Sequence, residues 1–306
     1  MVTLQSPAAA VPPSATPRPR LQRIAAVVNS AAGSVGPDAA DALSALVAEH
    51  GYQLALSAPA PGEIGKAVRE AVDAAPDLLL ILAGDGTARL AAELSGPDGP
   101  MVAPLAGGTL NMLPHAIYGA IPWRDALTAL LDGGVEQDVS GGKVDGRAFF
   151  VAAVLGSPAL WSNAREALRK GRLLEMGRRA QHALSRAFSG PLRFGVDGGA
   201  GGVAEALALI TPLVSKKLEG QTALEMAAFD LKDALEVARL AFNGLLGEWR
   251  NDPAVRAHPV ERGWASARRR IPCILDGESL QLPRKVGFEF TPRAFRTLAP
   301  PLPDGP

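Results

Sequence analysis

Leu78-Leu79-Leu80-Ile81-Leu82-Ala83-Gly84-Asp85-Gly86-Thr87 decides how this chain is read. The unbroken apolar run from Leu78 to Leu82 fits a strand buried on both faces, the pattern of a parallel sheet covered by helices. Gly84 to Thr87 form a glycine-rich turn, and Leu90, Ala91 and Leu94 beyond it keep helical spacing. Glycines let backbone N–H groups approach phosphate oxygens, and a helix N-terminus adds about half a positive charge there. On these four residues alone, a phosphate cradle and an ordinary Asp-Gly strand-to-helix turn are both open.

Outward from this stretch the same alternation repeats. Ile24 to Val28 reads as a strand, Asp38 to His50 as a helix with Ala39, Leu43, Leu46 and Val47 on one face, and Gly51 as its stop. Tyr52 to Leu56 is a strand, Glu63 to Ala74 a helix, Met101 to Leu105 a strand, and Trp123 to Leu131 a helix ending at Gly133. The order predicts an α/β domain, a mostly parallel sheet with helices on both faces. A second glycine-rich turn, Pro104-Leu105-Ala106-Gly107-Gly108-Thr109-Leu110-Asn111, follows the next strand, and a third small polar turn, Asn29 to Ser34, follows the first. In open parallel sheets ligands sit at the carboxyl ends of strands, so these turns are expected to face one ligand.

Past Asp138 the texture changes to apolar runs separated by Asp145-Gly146, Asp197-Gly198 and Asp276-Gly277, which favour antiparallel hairpins. The expected organisation is a Pro-rich disordered tail over 1–20, an α/β domain over 21–138, and a β-rich, sandwich-like antiparallel domain over 139–290. The segment 291–306 is expected to return to the first domain. A long helix is expected from Leu160 to Phe188.

Composition sets further bounds. The 306 residues carry 31 basic and 31 acidic side chains, and this zero formal charge argues against phosphate-tracking nucleic-acid binding. Only one cysteine, Cys273, is present, and His50, His115, His182 and His258 form no pair at metal-ligand spacing, so a disulfide framework and a zinc centre are not expected. No apolar stretch reaches the roughly 18 residues of a membrane span, and no secretory leader is apparent. A cytoplasmic protein, with at most peripheral membrane contact, is the expectation.

Taken together, the three turns resemble the motifs of the diacylglycerol kinase catalytic-domain family, which includes bacterial lipid kinases and sphingosine kinases and is distantly related to the NAD kinases. Asn29 to Gly33 matches an Asn-Pro-x-x-Gly turn with Ser30 in place of proline. Ala83 to Thr87 matches Gly-Gly-Asp-Gly-Thr with alanine first, and Pro104 to Asn111 matches Pro-Leu-Gly-Thr-x-Asn lengthened by two residues, with Met112 where an aspartate often follows. Asp138 and Phe150 resemble residues flanking the family's domain junction, and Asp276-Gly277-Glu278 its Asp-Gly-Glu motif. Read without the family, Asp276-Gly277 is a hairpin turn. The motifs occur in the family's order from about residue 22 to 299.

The resemblance implies a two-domain kinase using ATP and Mg²⁺, with diacylglycerol or a related lipid alcohol as acceptor and sphingoid bases next. It implies nucleotide contacts at Asn29, Gly33, Gly84, Gly86, Thr87, Gly108, Thr109 and Asn111, with Ser57 a weaker match. An Asp85 carboxylate beside a triphosphate would be repelled by roughly 4 kcal/mol per unit charge at 4 Å and an effective dielectric of about 20, so Mg²⁺ is expected near Asp85. The base that takes the acceptor proton is expected to be Asp276, then Glu278, then Asp85. Two alternatives stand beside this one: a soluble-metabolite kinase nearer the NAD kinases, and a nucleotide- or lipid-binding module without catalysis.

The segment Ala164 to Phe194 is rich in basic residues, among them Arg165, Arg169, Lys170, Arg172, Arg178 and Arg179, with interleaved leucines. It reads either as an anionic-membrane contact or as a solvated outer helix. Cys273, between Ile271 and Leu275, reads as a core residue, and Trp123, Trp161, Trp249 and Trp264 as packing residues. A homodimer is left open.

Overall fold

The computed structural model of the chain describes residues 19–60, 62–156, 190–197, 199, 201–215, 222–229 and 255–300. Residues 1–18 of the expected tail, the expected helix Leu160 to Phe188 with the basic residues Arg165 to Arg179, and Trp161 and Trp249 lie outside the described residues.

The first domain runs β1 (Ile24–Val28), α1 (Ala39–Glu49), β2 (Leu54–Ser57), α2 (Ile64–Asp73), β3 (Leu78–Ala83), α3 (Asp85–Ser95), β4 (Met101–Ala106), α4 (Met112–Tyr118) and α5 (Trp123–Gly133). Its four strands pair in parallel in the order β2-β1-β3-β4. Alternate residues of β3 serve two cores. Leu78, Leu80 and Leu82 pack with Leu43 and Val47 of α1 and Leu127 and Leu130 of α5, while Leu79 and Ile81 pack with Val68 of α2 and Ala88, Ala91 and Ala92 of α3. Burial on both faces explains why the run shows no polar alternation.

The remainder is antiparallel: β5 (Val135–Val144), β6 (Arg147–Phe149), β7 (Ala152–Gly156), β8 (Leu192–Val196), β9 (Gly201–Ala204), β10 (Ala206–Ile210), β11 (Leu224–Phe229), β12 (Val255–Val260), β13 (Arg262–Ser266), β14 (Ile271–Leu275), β15 (Glu278–Leu282) and β16 (Lys285–Ala299). They form two six-stranded sheets, β12-β11-β10-β7-β14-β15 and β6-β5-β16-β13-β8-β9. A shared core of Phe149, Leu155, Leu192, Leu209, Met226, Cys273 and Phe288 lies between them, the expected sandwich. Cys273 is a core residue, and burial pushes its thiol up to about 12. Asp145-Gly146 and Asp276-Gly277 both take left-handed backbone, φ 52° and 76° and φ 45° and 88°, as two-residue hairpin turns require.

One ladder joins the domains. β5 and β16 pair from Val135↔Ala299 to Val144↔Phe288, with a bulge between Thr291 and Phe295, so both strands pass through the expected boundaries at 138/139 and 290/291. The end of β16 returns to the first domain: Leu298 enters one core and Phe295 the other, where its ring meets Phe150 edge-on at 4.9 Å. Thr297 Oγ1 donates to the Val102 carbonyl at 2.7 Å, and the Tyr118 hydroxyl donates to Leu298 O at 3.2 Å. No helix among the described residues is long and apolar enough to cross a membrane.

Phe295 is fully buried at this junction. Phe295→Ala is expected to destabilise the protein by about 3–5 kcal/mol, read as a lower urea midpoint. A separate early unfolding step of one domain would show that the junction is the part that fails first.

Candidate active site

Three turns meet at the carboxyl ends of β1, β3 and β4. Ser34 ties the first to the third through its N–H to Gly107 O and its hydroxyl to Gly108 O, both at 3.1 Å. The second and third touch through backbone alone, since a Cβ on Gly108 would stand 2.7 Å from Gly84 Cα. Any side chain at Gly108 would separate the two turns. Asn111 closes the third turn: Oδ1 accepts from Gly108 N–H at 2.7 Å, and Nδ2 donates to Gly108 O at 3.1 Å. It does so from left-handed backbone, φ 52°, which asparagine tolerates.

These turns enclose a cleft of about 440 Å³ lined by Asn29, Gly33, Gly84, Gly86, Thr87, Gly108, Thr109 and Glu278, with Ile64 and Leu90 as an apolar wall. Seven of the expected nucleotide contacts thus come together. Asn111 lies behind them as the loop clasp, and Ser57 ends the edge strand β2 without lining the cleft. The cleft opens over the N-terminus of α3, where Gly84 is the N-cap.

Glu278 reaches this cleft from the other domain, on the hairpin between β14 and β15. Its carboxylate lies over Gly86, so close that a Cβ there would collide with it. Arg89, one turn into α3, donates through Nη2 to Glu278 Oε2 at 2.8 Å and pairs with Glu93 through Nη1 at 3.3 Å. Arg89 was not expected from the motifs. Its only local signal is the i,i+4 spacing to Glu93.

Asp276 occupies a different setting from Glu278. It is 2% exposed, and its carboxylate accepts three backbone N–H bonds: Phe150 at 2.7 Å to Oδ2, and Val151 at 2.8 Å and Ala152 at 2.9 Å to Oδ1. The same three residues have their carbonyls satisfied in turn. Phe150 O accepts from the Thr211 hydroxyl at 2.7 Å, Val151 O from Thr211 N–H at 3.1 Å, and Ala152 O from Asp276 N–H at 3.0 Å. The carboxylate placed first in the expected order of bases is therefore fully engaged in holding the chain where it crosses between the two sheets.

Asp85 also faces the protein. Its Oδ1 accepts from Leu113 N–H at 3.2 Å at the start of α4, and burial raises its carboxyl above the ordinary range against the pull of the Leu113, Met112 and Asn111 amides. No cluster of three or more metal-ligating side chains exists among the described residues.

Burial pushes the Asp276 carboxyl up to about 6, opposed by its three amide donors and the Arg89 charge. The native chain therefore binds this proton at a higher pH than the unfolded chain. Its contribution favours the fold most below about pH 4 and is lost as pH rises through about 6. A ¹³C titration of the side-chain carboxyl is expected to give a midpoint near 6; a midpoint below 4 would mean that the amide donors outweigh burial. Asp276→Ala, which leaves three buried N–H groups without an acceptor, is expected to cost several kcal/mol, about 1–3 for each orphaned group.

No curated protein sequence matches the chain. Residues 23–143 match the family described as diacylglycerol kinase catalytic domain. Among solved structures, a diacylglycerol kinase from Bacillus anthracis superposes with a TM-score of 0.65 at 16% identity, covering 93% of this chain and 99% of that one. Two further structures from that organism, which carry the same name provisionally, superpose with TM-scores of 0.66 at 17% identity, covering 93% and 92% of this chain and 99% and 98% of theirs. At such identities the superposition establishes a shared two-domain fold, and the segment 23–143 holds the three turns that build the cleft. The resemblance of this chain to the diacylglycerol kinase catalytic-domain family is thereby shown over residues 23–143, within a fold that extends over both domains.

Proposed function

We propose that the protein is an ATP-dependent phosphotransferase whose acceptor is a lipid hydroxyl, diacylglycerol or a related lipid alcohol. The observation that carries this reading is Glu278, a carboxylate of the second domain lying over Gly86 at the mouth of the α3 N-terminus. Phosphates bound on the amides of Gly84 and Gly86, beside the Thr87 and Thr109 hydroxyls, would meet an acceptor presented by the other domain.

Glu278 is the proposed base. Of the three acidic candidates it alone lines the cleft, at 47% side-chain exposure, while Asp276 and Asp85 direct oxygens to backbone amides. Arg89 orients it by the ion pair, and Asp276 acts as a positioning residue that fixes the hairpin carrying it. An apolar acceptor is favoured over a soluble one by Leu110 and Met112, which lie beside Gly277 on the same hairpin, Leu110 47% exposed.

Magnesium fits the donor set. The protein offers the Glu278 carboxylate in the cleft, with Asp85 next to Gly86 in the chain but turned to the Leu113 amide, rather than a cage, and Mg²⁺ is commonly held by one or two carboxylates with phosphates and water. When bound it would neutralise phosphate charge. Nucleotide positioning would still rest on the three turns.

Transfer from labelled ATP with Mg²⁺, offered diacylglycerol, sphingosine and NAD in parallel, is expected to label diacylglycerol foremost; label on NAD alone would overturn the lipid reading. Glu278→Gln is expected to lower kcat by about 10²–10⁴ while nucleotide affinity stays within a few-fold, the loss typical of a removed general base. Normal turnover would remove Glu278 from the role.

Gly86→Ala supplies a second check, because the new methyl must displace the Glu278 carboxylate while the α3 backbone tolerates alanine. Turnover is expected to fall at least tenfold with little change in thermal stability. An unchanged kcat would separate Glu278's position from catalysis.

A further inference from the structure

Trp264 is not a packing residue. It lies on the outer face of β13, 41% exposed, between Gly195 on one neighbouring strand and Gly287 on the other. A Cβ on Gly195 would stand 2.7 Å from the indole Nε1, so the glycine leaves room for the ring to lie flat. Lys285 Nζ sits 5.7 Å from the ring centroid, within cation–π range. Val203 on the same sheet is 50% exposed.

Register gathers charge at the same end of this sheet. Ser266, at the end of β13, pairs with Lys285 on one side and Arg193 on the other, and Ala267 N–H bonds Arg284 O at 2.8 Å. Arg268, Arg269 and Arg270 form the loop that follows. All six basic side chains, Arg193, Arg268, Arg269, Arg270, Arg284 and Lys285, are exposed, and none is ion-paired among the described residues. The acidic residues Asp197, Glu261 and Glu289 lie at the opposite end of β13, beside Arg262. Two acids approach the basic end, Glu205, half-buried after β9, and Asp145, exposed and bonded through its N–H to Gly287 O at 2.9 Å.

We propose that this end of the second domain, Trp264 with the arginines of the 268–270 loop, docks on an anionic membrane surface. An indole is amphipathic and settles at the headgroup level, while exposed Lys and Arg side chains are drawn to anionic lipids. The protein as a whole is neutral, so the attraction comes from this local asymmetry, six basic side chains against Asp145 and Glu205, with Asp197, Glu261 and Glu289 at the far end of β13. The surface deepens the kinase reading, on which it rests only in that a lipid acceptor resides in a bilayer.

The test is sedimentation of the full chain with large vesicles of phosphatidylcholine containing one part in three phosphatidylglycerol, against phosphatidylcholine alone. Binding is expected to the anionic vesicles only, and to fall as salt shortens the screening length from about 10 Å at 0.1 M to about 3 Å at 1 M. Arg268→Gln/Arg269→Gln/Arg270→Gln is expected to weaken partition at least tenfold, and Trp264→Ala severalfold. The triple variant is also expected to keep its turnover on short-chain diacylglycerol in detergent micelles.

Absence of wild-type binding, or undiminished binding of the triple variant, would overturn the proposal; the latter would move the contact to the upstream basic segment. Tighter binding to single-stranded DNA than to anionic vesicles would overturn it in favour of a nucleic-acid surface. Vesicle binding needs no turnover, so phosphorylation of micellar lipid without partition defeats the surface alone. Partition without phosphoryl transfer defeats the kinase reading alone.

Discussion

The geometry of the cleft depends on one buried carboxylate. Asp276 collects the N–H groups of Phe150, Val151 and Ala152, where the chain leaves one sheet of the sandwich and enters the other, and returns its own N–H to Ala152. Buried amides without acceptors are costly, so this crossing is stable only with the carboxylate in place. The consequence is positional. Phe150 is held against Phe295 in the first domain's core, and the hairpin bearing Glu278 is held at the cleft by the same bonds.

Charge and shape divide the work between neighbouring acids two residues apart. On an antiparallel hairpin Asp276 sits in the turn and turns inward, while Glu278 opens β15 and extends outward to α3. Burial opposes the charged form of Asp276 and its amide donors favour it, an arrangement suited to rigidity more than to proton exchange with a substrate. Glu278, joined to Arg89, lies where an incoming acceptor could reach it. The glycine at position 86 belongs to both domains in effect, since its missing side chain is the space that the Glu278 carboxylate fills.

The parallel sheet was legible in the sequence because its signal is local. Leu78 to Leu82 can be buried on both faces only between helices, and the glycine turns at 84–87 and 107–108 announce where the strands end. The hairpins at Asp145-Gly146 and Asp276-Gly277 were legible for a similar reason, the left-handed backbone that Asp-Gly accepts. Arg89 was not legible, because one arginine on a helix has no meaning until its partner is known. Thr211 was hidden likewise, and Trp264 was misread because exposure depends on the glycines of adjacent strands.

By itself the sequence determined the alternation of elements, the three turns and the order of the family's motifs, all set by steric and hydrophobic rules acting over a few residues. Only the tertiary structure decided that Asp276 is a strut and Glu278 a cleft residue. Those two roles follow from contacts made across 125 positions or more, Val151 to Asp276 at 2.8 Å and Arg89 to Glu278 at the same length, which chain folding alone brings together.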